Sequence, residues 1–530
     1  KGADIVIGVF VSSDLNPKDE LNSLISLLSQ SALVTSALDS RKQKKLVDIY
    51  IEPDLEGYQT ISFKQGQQII EKGDEAGQQY AATFKSLADS LKRIGPLHEV
   101  YALPQKEEYL ISEIMVEGNE KFSSDLIKQK MKIKEGTFLT LDEIEQRISN
   151  LIGTQYFKKA TYEIVRDGPK YELKIKVKEA PDGKLKIAAH YDSENDVGIN
   201  ANVTYRNLFM PQSRALLEFD FSKSARLNMS YLKYIGHKQD AGIVLGFDYA
   251  DNELPYFEDN IELSTFDADY FIPYFTIQST NFQNFTFGGT FQLEFTELRP
   301  FVGELTREIE KIKNRDIGVV FFAKYNSFDR LFYPRKGMDF HGSVKSVLDV
   351  KNKTVQIISD TVSTRKITVN QSIDPFLAFE ASFTYIFRIN KHFSVRAKNE
   401  MVLTTLGEIK SNITDYYFVG GFNPRYINTT EYWGASDKQY ITPNYFLSKW
   451  VLQYEVVDNL FVSAIANYVD VQYPMEFFYD ITLDDYLGVL RRRLGYGISL
   501  GYNSPFGPIS FSMAKDSKES KLRTKLNKGF

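Results

Sequence analysis

RLFYPRKGMDF, residues 330–340, is the stretch on which the fold turns. Asp329 is followed by Tyr333-Pro334-Arg335-Lys336-Gly337, and because proline fixes φ while glycine supplies a left-handed position, these residues read as a turn. From Met338 to Val347 the residues then alternate, as along a strand with one wet and one oily face. Further on, FLAFEASFTYIFRI is cleaner: Leu377, Phe379, Ala381, Phe383, Tyr385, Phe387 and Ile389 share one face, and Glu380, Ser382, Thr384 and Arg388 the other.

The same two-residue period recurs upstream. It sets Leu217, Phe219 and Phe221 against Glu218, Asp220 and Ser222, and Ile243, Leu245, Phe247 and Tyr249 against Gly242, Gly246 and Asp248. A soluble sandwich would alternate in the same way, so number and length have to separate the two. At roughly 20–22 residues per strand and connection, the span from 185 to the end holds about sixteen strands of the length a tilted barrel needs. No run of eighteen apolar residues occurs, which excludes helical spans. The 39 Phe and 32 Tyr against 2 Trp are what lipid-facing walls and interfacial girdles use. There is no cysteine, and His98, His190, His237, His341 and His392 lie at no ligand spacing, so neither a metal nor another cofactor is expected. A formal charge of −5, mixed along the chain, gives no footprint for nucleic acid.

RLFYPRKGMDF, FVGGFNPRYI (418–427) and GYNSPFGPISFSM (501–513) together resemble the barrel of the BamA/TamA superfamily of outer-membrane proteins. The resemblance implies a membrane β-barrel of about sixteen antiparallel strands over 185–530 in the bacterial outer membrane. Asp329, Pro334 and Gly337 match the element that opens one strand; Ser504, Pro505, Gly507 and Pro508 match the turn joining the last two; Phe530 matches the C-terminal signal read by the barrel assembly machinery. Gly420, Gly421, Asn423, Pro424, Arg425 and Tyr426 resemble the tip of a loop that, in the family, folds into the lumen and sets an arginine against acidic wall residues. Here Tyr426 stands where the family has glycine. A desolvated guanidinium needs a carboxylate, and Glu455 and Asp470 are the candidates; the alternative is a solvated loop arginine.

Residues 106–180 read as strand, helix, helix and hairpin, with a Ser cap on the first helix and Thr140 with Glu143 capping the second. This βααββ order, with Val116-Glu117-Gly118-Asn119 and Gly153…Tyr156-Phe157, resembles one POTRA domain. Upstream of a linker at 94–105, residues 1–93 resemble the C-terminal part of an α/β patatin-like lipid hydrolase: the apolar strand GADIVIGVFVSS, a helix, the strand ending in IEPDL, and a helix from Gly66 to Ile94. One strand and its helices lack a sheet to pack on, so the segment reads as a piece of a longer protein. A patatin uses a Ser/Asp dyad that lies outside this chain, so no catalytic residue is expected here. Gly497-Ile498-Ser499-Leu500-Gly501 matches the nucleophile-elbow pattern but sits in an alternating strand with no helix after it, which makes Ser499 a lumen residue.

The expectation is an outer-membrane phospholipase or esterase, anchored or secreted by its own barrel, with the POTRA and hydrolase parts periplasmic. The alternative is a non-enzymatic transport or assembly factor, or a scaffold subunit of an outer-membrane complex. Expected partners are membrane lipids and the assembly machinery, with a homodimer or larger complex left open.

Overall fold

The computed structural model describes residues 5–11, 34, 39–40, 42–56, 58, 65–95, 108–168, 170–194, 196–236, 239–258, 261–280, 282, 284–359, 364–406, 413–422, 427–472, 490–504 and 507–529. Its residues fall into two compact units, 1–106 and 107–530.

In the first unit, β1 (Ile7–Val9) pairs in parallel with β2 (Ile49–Ile51), Ile7 opposite Ile49. Two amphipathic helices follow, α1 (Gly66–Gln79) and α2 (Ala81–Ile94). The single helix expected over this stretch breaks at Tyr80, whose hydroxyl donates to the Tyr50 carbonyl at 2.8 Å. Gly73 and Gly77, just before the break, weaken the helix there.

The second unit begins with a small α+β domain: β3 (Tyr109–Glu117), α3 (Ser124–Met131), β4 (Thr137–Leu139), α4 (Leu141–Gly153), β5 (Phe157–Asp167) and β6 (Lys170–Glu179). The sheet order is β4-β3-β6-β5, with β3 and β6 parallel. Strand β4, too short to show a period, is an addition to the expected βααββ order. Both caps form as their sequences suggest: Ser123 accepts from the Leu126 amide, and Thr140 with Glu143 closes a reciprocal capping box. Ile111, Ile127, Ile144, Leu151, Leu173 and Ile175 make the core. Gly118 has φ +84°, and a Cβ there would overlap the Val177 carbonyl, so only glycine fits the exit from β3.

The rest of the unit is a closed antiparallel barrel of sixteen strands. In chain order they are β7 (Gly183–Asp192), β8 (Asp196–Arg206), β9 (Ser213–Phe221), β10 (Ala225–Ile235), β11 (Ala241–Glu258), β12 (Ile261–Ser279), β13 (Phe285–Gly303), β14 (Ile309–Asn326) and β15 (Gly337–Ser359), then β16 (Thr364–Ile373) and β17 (Phe376–Arg388) as two halves of one bent strand. Both halves pair with β15, one above the other, and the bend falls at Asp374-Pro375, where proline cannot donate to the ladder. β18 (Phe393–Thr404) follows; a long connection holds β19 (Tyr417–Val419), β20 (Thr429–Thr430) and β21 (Tyr440–Thr442); then come β22 (Asn444–Val457), β23 (Leu460–Gln472), β24 (Leu490–Ser504), β25 (Gly507–Asp516) and β26 (Leu522–Lys528). The faces follow the alternation: Phe379, Phe383 and Tyr385 point outward and are exposed, while Thr384 and Ile386 are buried on the lumen side.

Candidate functional site

Strand parity orders the barrel. β7 starts at the end carrying the α+β domain, so the β14–β15, β22–β23 and β24–β25 turns lie at that near end, and the β18–β22 connection lies at the far one. Three features of this frame bear on function: two inward-folded connections and the seam where the barrel closes.

The RLFYPRKG turn folds back under the near mouth. Asp329 Oδ1 accepts from the amides of Arg335 (2.9 Å) and Lys336 (3.3 Å), and Gly337, at φ +118°, sits too close to the Ser327 carbonyl to carry a Cβ. Pro334 is buried in the turn, and the Tyr333 ring stacks on Phe461 at 4.4 Å between centroids. The Tyr333 hydroxyl fills the space that a side chain at residue 501 would need. The elbow-like pattern around Ser499 thus has a packing explanation: Gly501 makes room for a tyrosine, and Ser499 exchanges a 2.9 Å hydrogen bond with Ser512. Arg335 reaches across the mouth to Glu455 and donates to the Lys391 carbonyl at 2.8 Å. At the β24–β25 turn, Ser504 Oγ donates to the Gly507 carbonyl at 2.6 Å, Gly507 has φ +102°, and the Pro508 carbonyl accepts from Gly529.

The far-end connection enters the lumen. β19 pairs with β20 and β21 in a three-stranded sheet whose Tyr417, Phe418, Val419, Tyr440 and Ile441 are buried. Tyr417 donates to Glu380 at 2.6 Å, Tyr432 to Asp516 at 2.7 Å, and Lys438 to the Glu253 carbonyl at 2.7 Å. The Trp433 amide donates to Asn467 Oδ1 at 2.7 Å while Asn467 Nδ2 returns a bond to the Trp433 carbonyl at 3.1 Å, in a space that a Cβ on Gly495 would fill. Gly434, at φ +116°, lies against Asp516, and its carbonyl takes a 2.8 Å bond from Arg523.

Among the described residues the loop also carries an ion-pair cluster of its own. Lys398 on β18 and Lys449 on β22 are direct cross-strand partners, and Glu431 of the loop bridges them, 2.8 Å from Lys449 and 3.7 Å from Lys398. Here the loop supplies the acid and the wall the cations. Asn423, Pro424, Arg425 and Tyr426 lie outside the described residues, as do Pro505 and Phe530; Gly420 and Gly421 are buried, with φ +151° and +77°. The two proposed carboxylates lie in different surroundings. Glu455 faces the lumen at the near end and is held by Arg335, and Asp470 shares the outward face of Phe446, where it meets Arg492 at 3.3 Å. Glu431, its lysine pair and the glycines at 434 and 495 escaped the sequence reading. The available signal was the dense EYWG cluster opposite lysines at lumen parity.

The seam is the third feature. β26 and β7 share two ladder pairs, Asn527 with Asp192 and Lys528 with Tyr191, whereas β7 and β8 are paired along the whole of β7. Lys525 pins the join through Asp192 (2.8 Å) and Glu194 (2.7 Å). From Gly183 to Ala188 the same edge of β7 has no ladder partner among the described residues, and Leu185 and Ile187 on it are exposed. In hydrocarbon an open edge leaves amides and carbonyls unsatisfied, so it is a template for another strand.

The family profile of the OMP85 superfamily matches residues 171–530, and the POTRA profile, described as a surface antigen variable number repeat, matches 109–180. The outer membrane protein assembly factor BamA of Nitratidesulfovibrio vulgaris strain Hildenborough is 27% identical over 148 residues, 27% of this chain and 19% of that protein. The chain thus matches about a fifth of that relative's length. Among solved structures, BamA from Haemophilus ducreyi lacking POTRA domains 1–3 superposes with a TM-score of 0.55 at 17% identity, covering 80% of this chain and 85% of that one. CdiB from Acinetobacter baumannii gives 0.46 at 11% identity over 79% and 74%.

Proposed function

The chain belongs to the OMP85 superfamily, as an outer-membrane β-barrel with its POTRA domain on the periplasmic side, and from that premise we propose that it is a protein-transport or assembly factor whose β7 edge receives a client β-strand. The observation that carries this reading is the two-pair seam. A barrel that served only as an anchor gains stability from a full ladder at closure, whereas an edge left free from Gly183 to Ala188 offers main-chain hydrogen bonds to an incoming strand and a lateral route into the bilayer. The printed function of the Nitratidesulfovibrio relative, outer-membrane protein assembly, is of this kind.

The chain has no cysteine, so the seam can be locked cleanly. Tyr191→Cys with Lys528→Cys places two thiols on paired residues, at a cross-strand separation a disulfide can span. The oxidised double variant, reconstituted in proteoliposomes, should lose most of its capacity to assemble an unfolded barrel client and regain it on reduction. Equal assembly in both redox states defeats the proposal.

A second reading keeps the lipid hydrolase. The parallel pairing of β1 with β2, followed by two amphipathic helices, suits the α/β segment that residues 1–93 resemble. The chain alone should show no esterase activity above a Ser499→Ala control, and an upstream coding sequence without a Gly-x-Ser-x-Gly elbow removes this reading.

A further inference from the structure

We propose that the junction between the POTRA domain and the barrel holds a binding site for an anionic phosphate group, of which a phospholipid headgroup and free phosphate are the two sources. The site is a cavity of about 450 Å³, within the range of ligand pockets, between α3 and α4 on one side and the near ends of β8, β9 and β10 on the other. Lys130, Lys132, Arg206 and Arg214 all line it.

Three observations point to an anion. Arg206 and Arg214 are direct cross-strand partners, an arrangement of like charges that destabilises a sheet unless something neutralises it. No ion pair joins any of the four cations to a carboxylate among the described residues; Asp240, whose charge acts on Lys130, accepts from Gln129 at 3.3 Å instead. Among the described residues the buried Nε of Arg206 has no hydrogen-bond partner, while its guanidinium lies over the Tyr156 ring at 5.4 Å. Burial also lowers the Lys130 ammonium below the usual lysine range, with Asp240 opposing that effect.

The molecule contains its own precedent. Lys398 and Lys449 form the same directly opposed cation pair in the lumen, and there Glu431 bridges them. At the POTRA junction the bridging acid is missing and a cavity stands in its place. Guanidinium forks suit phosphate oxygens, and Arg206 and Arg214, on the lumen face with Asn202 and Glu218, stand at the periplasmic end of the barrel wall.

The test titrates the purified full chain in detergent by calorimetry with a soluble short-chain phosphatidylglycerol below its micelle concentration, with the matching phosphatidylcholine, and with inorganic phosphate. Saturable binding of phosphatidylglycerol alone identifies a lipid headgroup; saturation by inorganic phosphate as well identifies phosphate regardless of source. In either case Arg206→Gln with Arg214→Gln should weaken binding roughly tenfold or more, Lys130→Gln should weaken it less, and phosphatidylcholine, whose choline cancels the charge, should bind more weakly. Heat-modifiable mobility on gels checks that the double variant still forms the barrel, and Lys130→Gln, in the other domain, reads the site independently. The proposal is overturned if neither probe saturates, if phosphatidylcholine matches phosphatidylglycerol, or if the double variant binds as the wild type does.

Discussion

Inside the barrel, Trp433 exchanges two hydrogen bonds with Asn467 and fills the space left by Gly495, while at the seam β26 and β7 are held by two ladder pairs, one bridging lysine and the two hydrogen bonds that Ser193 and Leu526 exchange. The loop is bonded to the wall at several points; among the described residues the seam is the strand join of the wall with the fewest ladder pairs. The strands show the same asymmetry. β11 to β15 run for 18 to 23 residues, whereas β26 has 7 and β7 has 10, against the roughly 9–11 that a tilted span needs. The proposed function needs the join with the fewest ladder pairs, the seam, to open while the interior and the far wall hold.

The largest test of that contrast is amide exchange. Seam-side amides from Lys184 to Ala188 should exchange on the order of a thousandfold faster than those of β12, which is paired on both sides. Equal protection would mean the seam is sealed. Next, Glu431→Ala strips Lys449 of its acid while Lys398 keeps Glu400 at 2.8 Å, and should lower stability by roughly 3–5 kcal/mol, read by denaturant unfolding in detergent and by new protease cleavage in the loop. Removing Lys449 as well should recover part of that loss, because the uncompensated charge goes with it. On the closed wall, Phe383→Lys should cost about 2–4 kcal/mol, while Ile187→Lys, toward the near end of β7, should cost less, since the penalty falls toward the interface. Ser382→Lys, opposite Glu400 on the lumen face, should be mild, and equal effects at 382 and 383 would reverse the face assignment. The smallest effect is Gly501→Ala, whose new methyl meets the Tyr333 hydroxyl and should cost about 1–3 kcal/mol, an effect that Tyr333→Ala should largely absorb in the double variant.

How much of this was legible follows from the range of each interaction. The two-residue period is local, so the strands, their faces and the barrel could be read directly, as in β17, where Phe379, Phe383 and Tyr385 are outward. The POTRA caps are equally local, because Thr140 and Glu143 lie three residues apart. The lumen pairings are not. Glu431 meets Lys449 only because a long connection folds through the barrel, and in sequence it cannot be told from a solvated acid. Asp470 was decidable: it shares parity with Ala466 and Tyr468, so alternation alone puts it outside. Glu455 needed strand direction as well, since only counting strands from β7 puts it at the mouth where Arg335 waits. The hydrolase reading of 1–93 rested on a parallel strand and its helices, a pattern many α/β domains share.

The lumen loop also bears on the permeability of the cell. Barrels of sixteen to eighteen strands can enclose a bore wide enough to conduct solutes, as porins do. Here Tyr432, Trp433 and Tyr440 are buried in that bore and bonded to its wall. On the proposed function, a client strand would enter sideways at the seam while these residues keep narrowing the bore, so solute conductance should rise little during the cycle.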